Sequence, residues 1–219
     1  IISYKEQDDN KLFPVQGSEA KINLISDDVF DGIDPQDERE WRVTVLKNGA
    51  IYWRGFVLPD DSSEPFSTKP FPVSISATDI LGTFKDVPFT DANQLNFRGE
   101  VTKLALLSYL LSKTDLGLDI AIADNTFEAQ MLRTPNTLDC PWPQVLYSYD
   151  RYYDTEKRPL SCYEILRSIL AEKSCTIKQV NGKWWVVNQE ENNRLLTAIP
   201  YRVYNKDGVY QSHSQLGEY

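Results

Sequence analysis

The segment 41–58 constrains the fold more than any other part of the chain, because it reads as two strands joined by a tight turn. In its first half, apolar residues alternate with polar ones (Trp41, Val43 and Val45), which predicts a half-buried strand. Asn48-Gly49 follows, and this dipeptide favours a hairpin because both turn positions require a positive φ. The chain must therefore build at least one antiparallel sheet.

The rest of the first half also reads as strands. Alternating apolar residues predict strands over residues 19–25 and 71–77. The second of these leads into a short helical turn, which Asp79 is expected to cap, with Leu81 and Phe84 packed beneath it. Residues 1–95 are thus predicted to form a small barrel-like or sandwich-like domain.

The second half combines helices with hairpins. Residues 96–219 are predicted to form a mixed α/β domain with two helices, at about 100–113 and 162–173, and a C-terminal hairpin region. Ser161 and Glu164 have the spacing of a capping box, which places the start of the second helix. Two Gly-containing turns, Asn181-Gly182 and Asp207-Gly208, predict hairpins. The expected fold class is therefore α+β and rich in β-structure, with a short strand at 119–122 between the helices.

Charge and composition exclude several partners. The formal net charge is −9, so the surface repels phosphate backbones, and we expect no direct nucleic-acid binding. No apolar run reaches the roughly 18 residues that a membrane span needs, so no membrane insertion is expected. The first five residues are not typical of a signal peptide and lack an initiator Met, so we expect the natural protein to be longer.

The residue types that carry catalysis and metal binding are sparse. There is a single histidine, His213, which we expect at the surface, and the three cysteines (Cys140, Cys162 and Cys175) have no C-x-x-C spacing and are expected to be buried free thiols. The acidic loop 27–38 does not match the spacing of a calcium loop, and a solvated loop is favoured over a calcium site. Asp60, Asp61 and Glu64 are only a weak indication of a glycosidase pair. We therefore expect no catalytic, cofactor or metal site.

Aromatic residues give the candidate contact sites. Five of them lie in or beside a proline-rich, irregular stretch, and a sixth lies on a predicted strand, on the face opposite to Trp184. These candidate interface or ligand contacts are Trp142, Tyr147, Tyr149, Tyr152, Tyr153 and Trp185. Two interpretations stay open: the stretch 142–153 is an aromatic-packed loop that covers a sheet edge, which is favoured, or it is a binding platform for sugars.

Two blocks of the sequence resemble phage tail and baseplate-hub proteins, especially those of Bacteroidetes prophages. In the first block, an aromatic strand with a central Gly (51–60) precedes a strand that enters a D-x-L-G-x-L turn (73–84), with Phe84 where Leu is more usual. In the second block (161–187), a helix is followed by a strand, a tight turn and a G-x-W-x-V strand. Together the blocks cover about half of the chain, and their motifs are packing and turn motifs.

The resemblance implies a structural protein without catalytic residues. Such proteins form rings at the tail tip, often homotrimers, with barrel-like domains around a channel, and they bind other tail or baseplate proteins. The resemblance also implies a place in the virion tail after synthesis in the bacterial cytoplasm. The alternatives are a carbohydrate-binding or adhesion module that uses residues 142–153 and, less favoured, a glycan-cleaving enzyme.

Overall fold

A computed structural model describes residues 1–5, 13–27, 37, 39–58, 70–133, 139–194 and 198–216. In these residues the fold is α+β and rich in β-structure, as predicted. Two five-stranded sheets and one two-stranded sheet account for the strands. The helices are α1 (Lys103–Ser112), α2 (Pro141–Gln144), α3 (Cys162–Ala171) and α4 (Gln189–Asn193).

The first sheet contains the strands predicted from the N-terminal half. Its strands are β1 (Ile2–Lys5), which the sequence analysis did not predict, β2 (Gly17–Ser26), β3 (Arg42–Lys47), β4 (Ala50–Val57) and β5 (Phe71–Thr78), in the antiparallel order β1-β2-β5-β4-β3. β1 and β3 lie at opposite edges and do not pair with each other, so the described sheet is open. The expectation of a barrel is therefore wrong for this part of the chain.

The second sheet is built around a strand between the two longer helices. That strand, β7 (Asp119–Ala123), lies between β10 (Lys183–Asn188) and β11 (Ile199–Tyr204), and the outer strands are β9 (Cys175–Val180) and β12 (Tyr210–Leu216). The β9–β10 and β11–β12 hairpins confirm the predictions from the two turn dipeptides. The pairing of β7 with β10 is parallel, which no local signal in the sequence indicates.

Both predicted helices form, with shifted ends. α1 begins at Lys103 because Thr102 is its N-cap, with the side chain accepting a hydrogen bond from Ala105 N at 3.1 Å. Residues 100–102 are instead β6 (Glu100–Thr102), which pairs with β8 (Leu146–Ser148), so the predicted helix start at 100 is wrong. The predicted capping box at Ser161 and Glu164 is present, and α3 ends at Ala171, two residues before the predicted end.

Asp79 anchors the turn that follows β5. Its Oδ1 accepts a hydrogen bond from Leu81 N at 3.2 Å, while its Oδ2 accepts from Ser18 N at 2.8 Å and from Ser18 Oγ at 2.6 Å. Trp53 Nε1 donates in turn to Ser18 Oγ at 2.8 Å. The predicted packing of Leu81 and Phe84 is confirmed, since both side chains are fully buried. Burial raises the pKa of Asp79 to about 7, against the opposing effect of these hydrogen bonds.

The two larger sheets meet where β4 approaches the β9–β10 hairpin. The fully buried side-chain amide of Gln179 accepts from Arg54 N at 2.6 Å and donates to Arg54 O at 2.8 Å. Gly182 N donates to Tyr52 O at 2.8 Å. One apolar cluster contains residues from both sides of position 95, such as Phe84 and Leu166, and the division at this position stays a prediction.

All three cysteines are buried free thiols, as predicted, and burial raises the pKa of each. Among the described residues, no helix is both long and apolar enough to cross a bilayer.

Candidate interaction surfaces

Trp142 lies in the core and presents no surface to a ligand. It belongs to the short helix α2, its side chain is fully buried, and its Nε1 donates to Asp124 Oδ2 at 2.8 Å. The Lys103 ammonium lies 4.2 Å from the centre of the indole ring. This candidate contact residue is therefore a packing residue in this structure.

Two of the four candidate tyrosines are also buried. Tyr147 lies on β8, and its hydroxyl donates a short hydrogen bond to Glu172 Oε2, close to the end of α3. The ring of Tyr152 packs edge-on against that of Tyr147, with centroids 6.4 Å apart. Burial raises the pKa of Tyr147 and raises that of Tyr152 to about 12, so both hydroxyls stay protonated near neutral pH. Together they tie the stretch 146–152 to α3.

The other two tyrosines, Tyr149 and Tyr153, are partly exposed. The ring of Tyr149 stacks on Phe97 with centroids 4.9 Å apart and an interplanar angle of 19°. Phe97 N donates to the Tyr153 hydroxyl at 2.6 Å. Phe89 lies at the centre of this group, with ring contacts to both tyrosines. The stretch 142–153 is thus packed against its own chain, which favours the interpretation as an aromatic-packed loop over a sugar platform.

Trp185 is separated from the other candidates. Trp184 is buried in the core while Trp185 lies on the opposite face of β10, as the alternation predicts, and is partly buried. Its ring lies 4.8 Å from that of Tyr201, and its Nε1 is buried without a hydrogen-bond partner in the described structure. The six candidates therefore do not form one surface.

A buried polar cluster, which the sequence analysis missed, lies at the carboxyl ends of the parallel strands β7 and β10. Asp124 follows β7, and its Oδ1 accepts from Asn188 Nδ2, at the end of β10, at 3.2 Å. The next residue, Asn125, donates from its backbone N to Glu191 Oε1 at 2.9 Å and contacts the Arg202 guanidinium through a short hydrogen bond. Burial raises the pKa of Glu191, and the hydrogen bonds from Asn125 oppose that shift.

This cluster holds strands together and has the geometry of a structural network. Its donors and acceptors are directed at one another, which satisfies groups that would otherwise be costly to bury. In the described parts of the chain, no group of three or more His, Cys, Asp or Glu side chains is placed to hold a metal ion. Only the parallel pairing of two distant strands brings the cluster together, so no spacing in the sequence signals it.

The exposed apolar side chains lie elsewhere, on the first sheet. Leu46 on the outer strand β3 is 61% exposed, and Trp41, just before that strand, is also exposed. Tyr4, on β1 at the other edge, is 42% exposed, but its hydroxyl donates to Gln179 O in the second sheet at 2.9 Å. Between these edges, β2 runs beyond its pairing with β1 and exposes Ile25 to 81%. Large apolar side chains left in water on open strands are typical of surfaces that contact other proteins.

The remaining acidic candidates fall mostly outside the described residues. This applies to Asp60, Asp61 and Glu64 and to most of the loop 27–38, of which only Asp27 and Asp37 are described. His213 is exposed, as predicted, and its Nδ1 lies 2.7 Å from the Tyr210 hydroxyl.

Comparison with known proteins finds similarity among solved structures but none among sequence families. No protein-family profile matches the chain, and no curated protein sequence matches it. Among solved structures, the chain is similar to the 43 kDa tail protein of prophage MuSo2 from Shewanella oneidensis, with 13% sequence identity and a TM-score of 0.43. The match covers 80% of this chain and 44% of that protein, so the chain spans less than half of its neighbour's length.

Proposed function

We propose that this chain is a non-enzymatic structural component of a phage or prophage tail, of the baseplate-hub type, that assembles through protein–protein contacts. The observation that carries the proposal is the outer strand β3 of the open first sheet, where Leu46 and the neighbouring Trp41 are exposed to water. Large apolar side chains exposed at a sheet edge are typical of proteins that assemble through that edge.

The residues behind the sequence resemblance support a structural role. A Cβ atom on Gly55 would lie 2.2 Å from Trp53 Cη2 and 2.4 Å from Thr78 O, so glycine lets β4 pack closely at this point. Asp79, the first residue of the D-x-L-G-x-L turn, holds β2 to the end of β5 through Ser18. These motif residues pack and turn the chain, as expected of motifs that specify a scaffold.

We further propose how the chain assembles and where it is located. The chain is made in the bacterial cytoplasm and joins the virion tail, where it forms a homotrimeric ring and binds other tail or baseplate proteins. The strand β3 and its neighbour Trp41 form the main contact, because this edge exposes both an aromatic and an aliphatic side chain.

Solution mass with a matched pair of variants tests the proposal. A trimer has a mass of about 76 kDa, from three copies of the 25.2 kDa chain, and is measured by light scattering over a range of concentrations. Leu46→Glu is expected to break the trimer, whereas Leu95→Glu is not. Both leucines are equally exposed, at 61% and 62%, but Leu95 lies in a loop outside the sheets.

Two results contradict the proposal. A wild-type chain that stays monomeric at every concentration argues against a self-assembled ring. Turnover of peptidoglycan or another glycan by the purified chain argues against a non-enzymatic role. Glycan binding that is lost on Tyr149→Ala favours the adhesion module, since Tyr149 is one of the partly exposed rings in the stretch 142–153.

A further inference from the structure

Among the described strands, β12 lies at the outer edge of the second sheet. It pairs with β11 on one side and with no other described strand, and residues 211–215 are all exposed. It contains no Lys, Arg, Asp, Glu, Pro or Gly, the residues with which proteins usually protect an edge.

The sequence of β12 is self-complementary. Residues 211–215 read Gln-Ser-His-Ser-Gln, which is the same in both directions. If two copies of this strand run antiparallel around a two-fold axis at His213, Gln faces Gln, Ser faces Ser and no charges oppose each other. At each end of the pair, the partly buried Tyr210 faces Leu216. Matching of this kind is what a two-fold interface between identical chains requires.

The pairing of β12 with β11 shifts by one residue at Gln211, and beyond that bulge the backbone of residues 212–215 is also oriented for such a pair. Pro200 lies opposite Gln215 and has no N–H to donate to it, and the Pro200 carbonyl accepts from Asn125 Nδ2 at 3.0 Å, towards β7. Hydrogen-bonded and non-hydrogen-bonded pairs alternate along an antiparallel ladder. The N–H and C=O groups of Gln215 and His213 therefore point away from β11, at the free edge.

We propose that two copies of this chain pair through β12, antiparallel and around a two-fold axis at His213. The pairing joins the two second sheets into one continuous sheet of ten strands across the axis. The partner that binds β12 is a second copy of the same chain, because the palindromic sequence of the strand matches itself. This inference does not rest on the proposed tail role.

Two double variants at the same exposed positions test the register. In the proposed pair, Ser212 lies opposite Ser214 of the partner subunit. Ser212→Glu/Ser214→Lys therefore places opposite charges across from each other at both of these cross-strand pairs. Ser212→Glu/Ser214→Glu creates like charges there. In a Leu46→Glu background, which removes the proposed trimer contact, the chain with its natural β12 is expected to give a concentration-dependent dimer of about 50 kDa by sedimentation velocity, from two chains of 25.2 kDa. The first variant should lower the dimer Kd by roughly threefold to tenfold, and the second should raise it by about tenfold.

The outcomes separate this inference from the tail role. If the chain with its natural β12 and both double variants stay monomeric in that background, or if both double variants shift Kd in the same direction, the β12 pairing is wrong. A trimer that responds to Leu46→Glu but to neither double variant overturns the β12 pairing and leaves the proposed tail role standing. Circular dichroism of both variants checks that the fold is kept, which the exposure of both serines leads us to expect.

Discussion

Replacing Asp79 with Asn should remove a large pH dependence from the stability of this protein. The Asp79 carboxyl is fully buried, and burial raises its pKa from 3.8 to about 7 in the folded chain. Between these two values the folded chain holds a proton that the unfolded chain has released, so the folded state loses stability as the pH rises. From pH 5 to pH 8 this loss amounts to about 2.5 kcal/mol for a shift of this size.

The asparagine side chain has nearly the same shape and cannot ionise. It keeps one oxygen that accepts a hydrogen bond. Its amide nitrogen takes the place of the other oxygen and faces an N–H group, of Ser18 or Leu81, that donates to the carboxyl in the wild type. That mismatch adds a nearly constant cost, because neither group titrates in this range. The difference in unfolding free energy between Asp79→Asn and the wild type should therefore shift by about 2.5 kcal/mol in favour of the variant from pH 5 to pH 8.

Urea unfolding at several pH values measures this difference directly. Tryptophan fluorescence follows the unfolding, and one of the five indoles, that of Trp53, belongs to the same hydrogen-bonded group because it donates to Ser18 Oγ. Asp86→Asn is the control, because it makes the same chemical change at an exposed carboxylate at the end of the same turn. If the unfolding free energy of Asp79→Asn depends on pH as steeply as that of the wild type, the reasoning fails. The hydrogen bonds from Ser18 and Leu81 must then outweigh burial and hold Asp79 ionised.

Three further substitutions test the packing. Gly182→Ala should lower the free energy of unfolding by roughly 2 kcal/mol or more, because φ is +69° and the new Cβ would lie 2.3 Å from Ile51 O. Gly49→Ala is the control and should cost only about 1 kcal/mol, because Gly49 has φ +78° but open space around it. Equal losses in urea unfolding would contradict the contact between the sheets. Ser161→Ala removes the N-cap of α3 and should cost about 1 kcal/mol by the same measurement, so an unchanged stability would refute the cap. Trp142→Phe removes a 2.8 Å hydrogen bond to a buried carboxylate and should cost about 1–3 kcal/mol in thermal or urea unfolding; a change below that range would mean that another donor replaces the indole.

Local signals in the sequence predicted much of the fold. The turn dipeptides Asn48-Gly49, Asn181-Gly182 and Asp207-Gly208 located three hairpins, because these turns need residues that adopt positive φ. The capping box at Ser161 located α3 for a similar reason. The start of α1 was placed too early, since residues 100–102 have enough apolar character for a helix but pair with β8 once the chain folds.

The long-range features could not be predicted in the same way. The polar cluster at Asp124 and Asn188 depends on the parallel pairing of β7 with β10, which joins residues more than 60 positions apart. The aromatic stretch 142–153 has a composition that suits both an interface and a core. Only the structure shows that Trp142 points inward, because that depends on which buried acceptor lies near its Nε1.

The two blocks that carry the sequence resemblance meet in space, although more than 75 residues separate them along the chain. The first supplies β4 and the second supplies the β9–β10 hairpin, and they are joined by the Gln179 amide on Arg54 and by Gly182 N on Tyr52. A side-chain amide that bonds both the N–H and the C=O of one residue acts as a neighbouring strand would. The shared motifs therefore specify how the first sheet is set against the second, and with it where the exposed edges β3 and β12 lie. An assembly built on those edges requires that this joint be kept, while the loops around it are free to change.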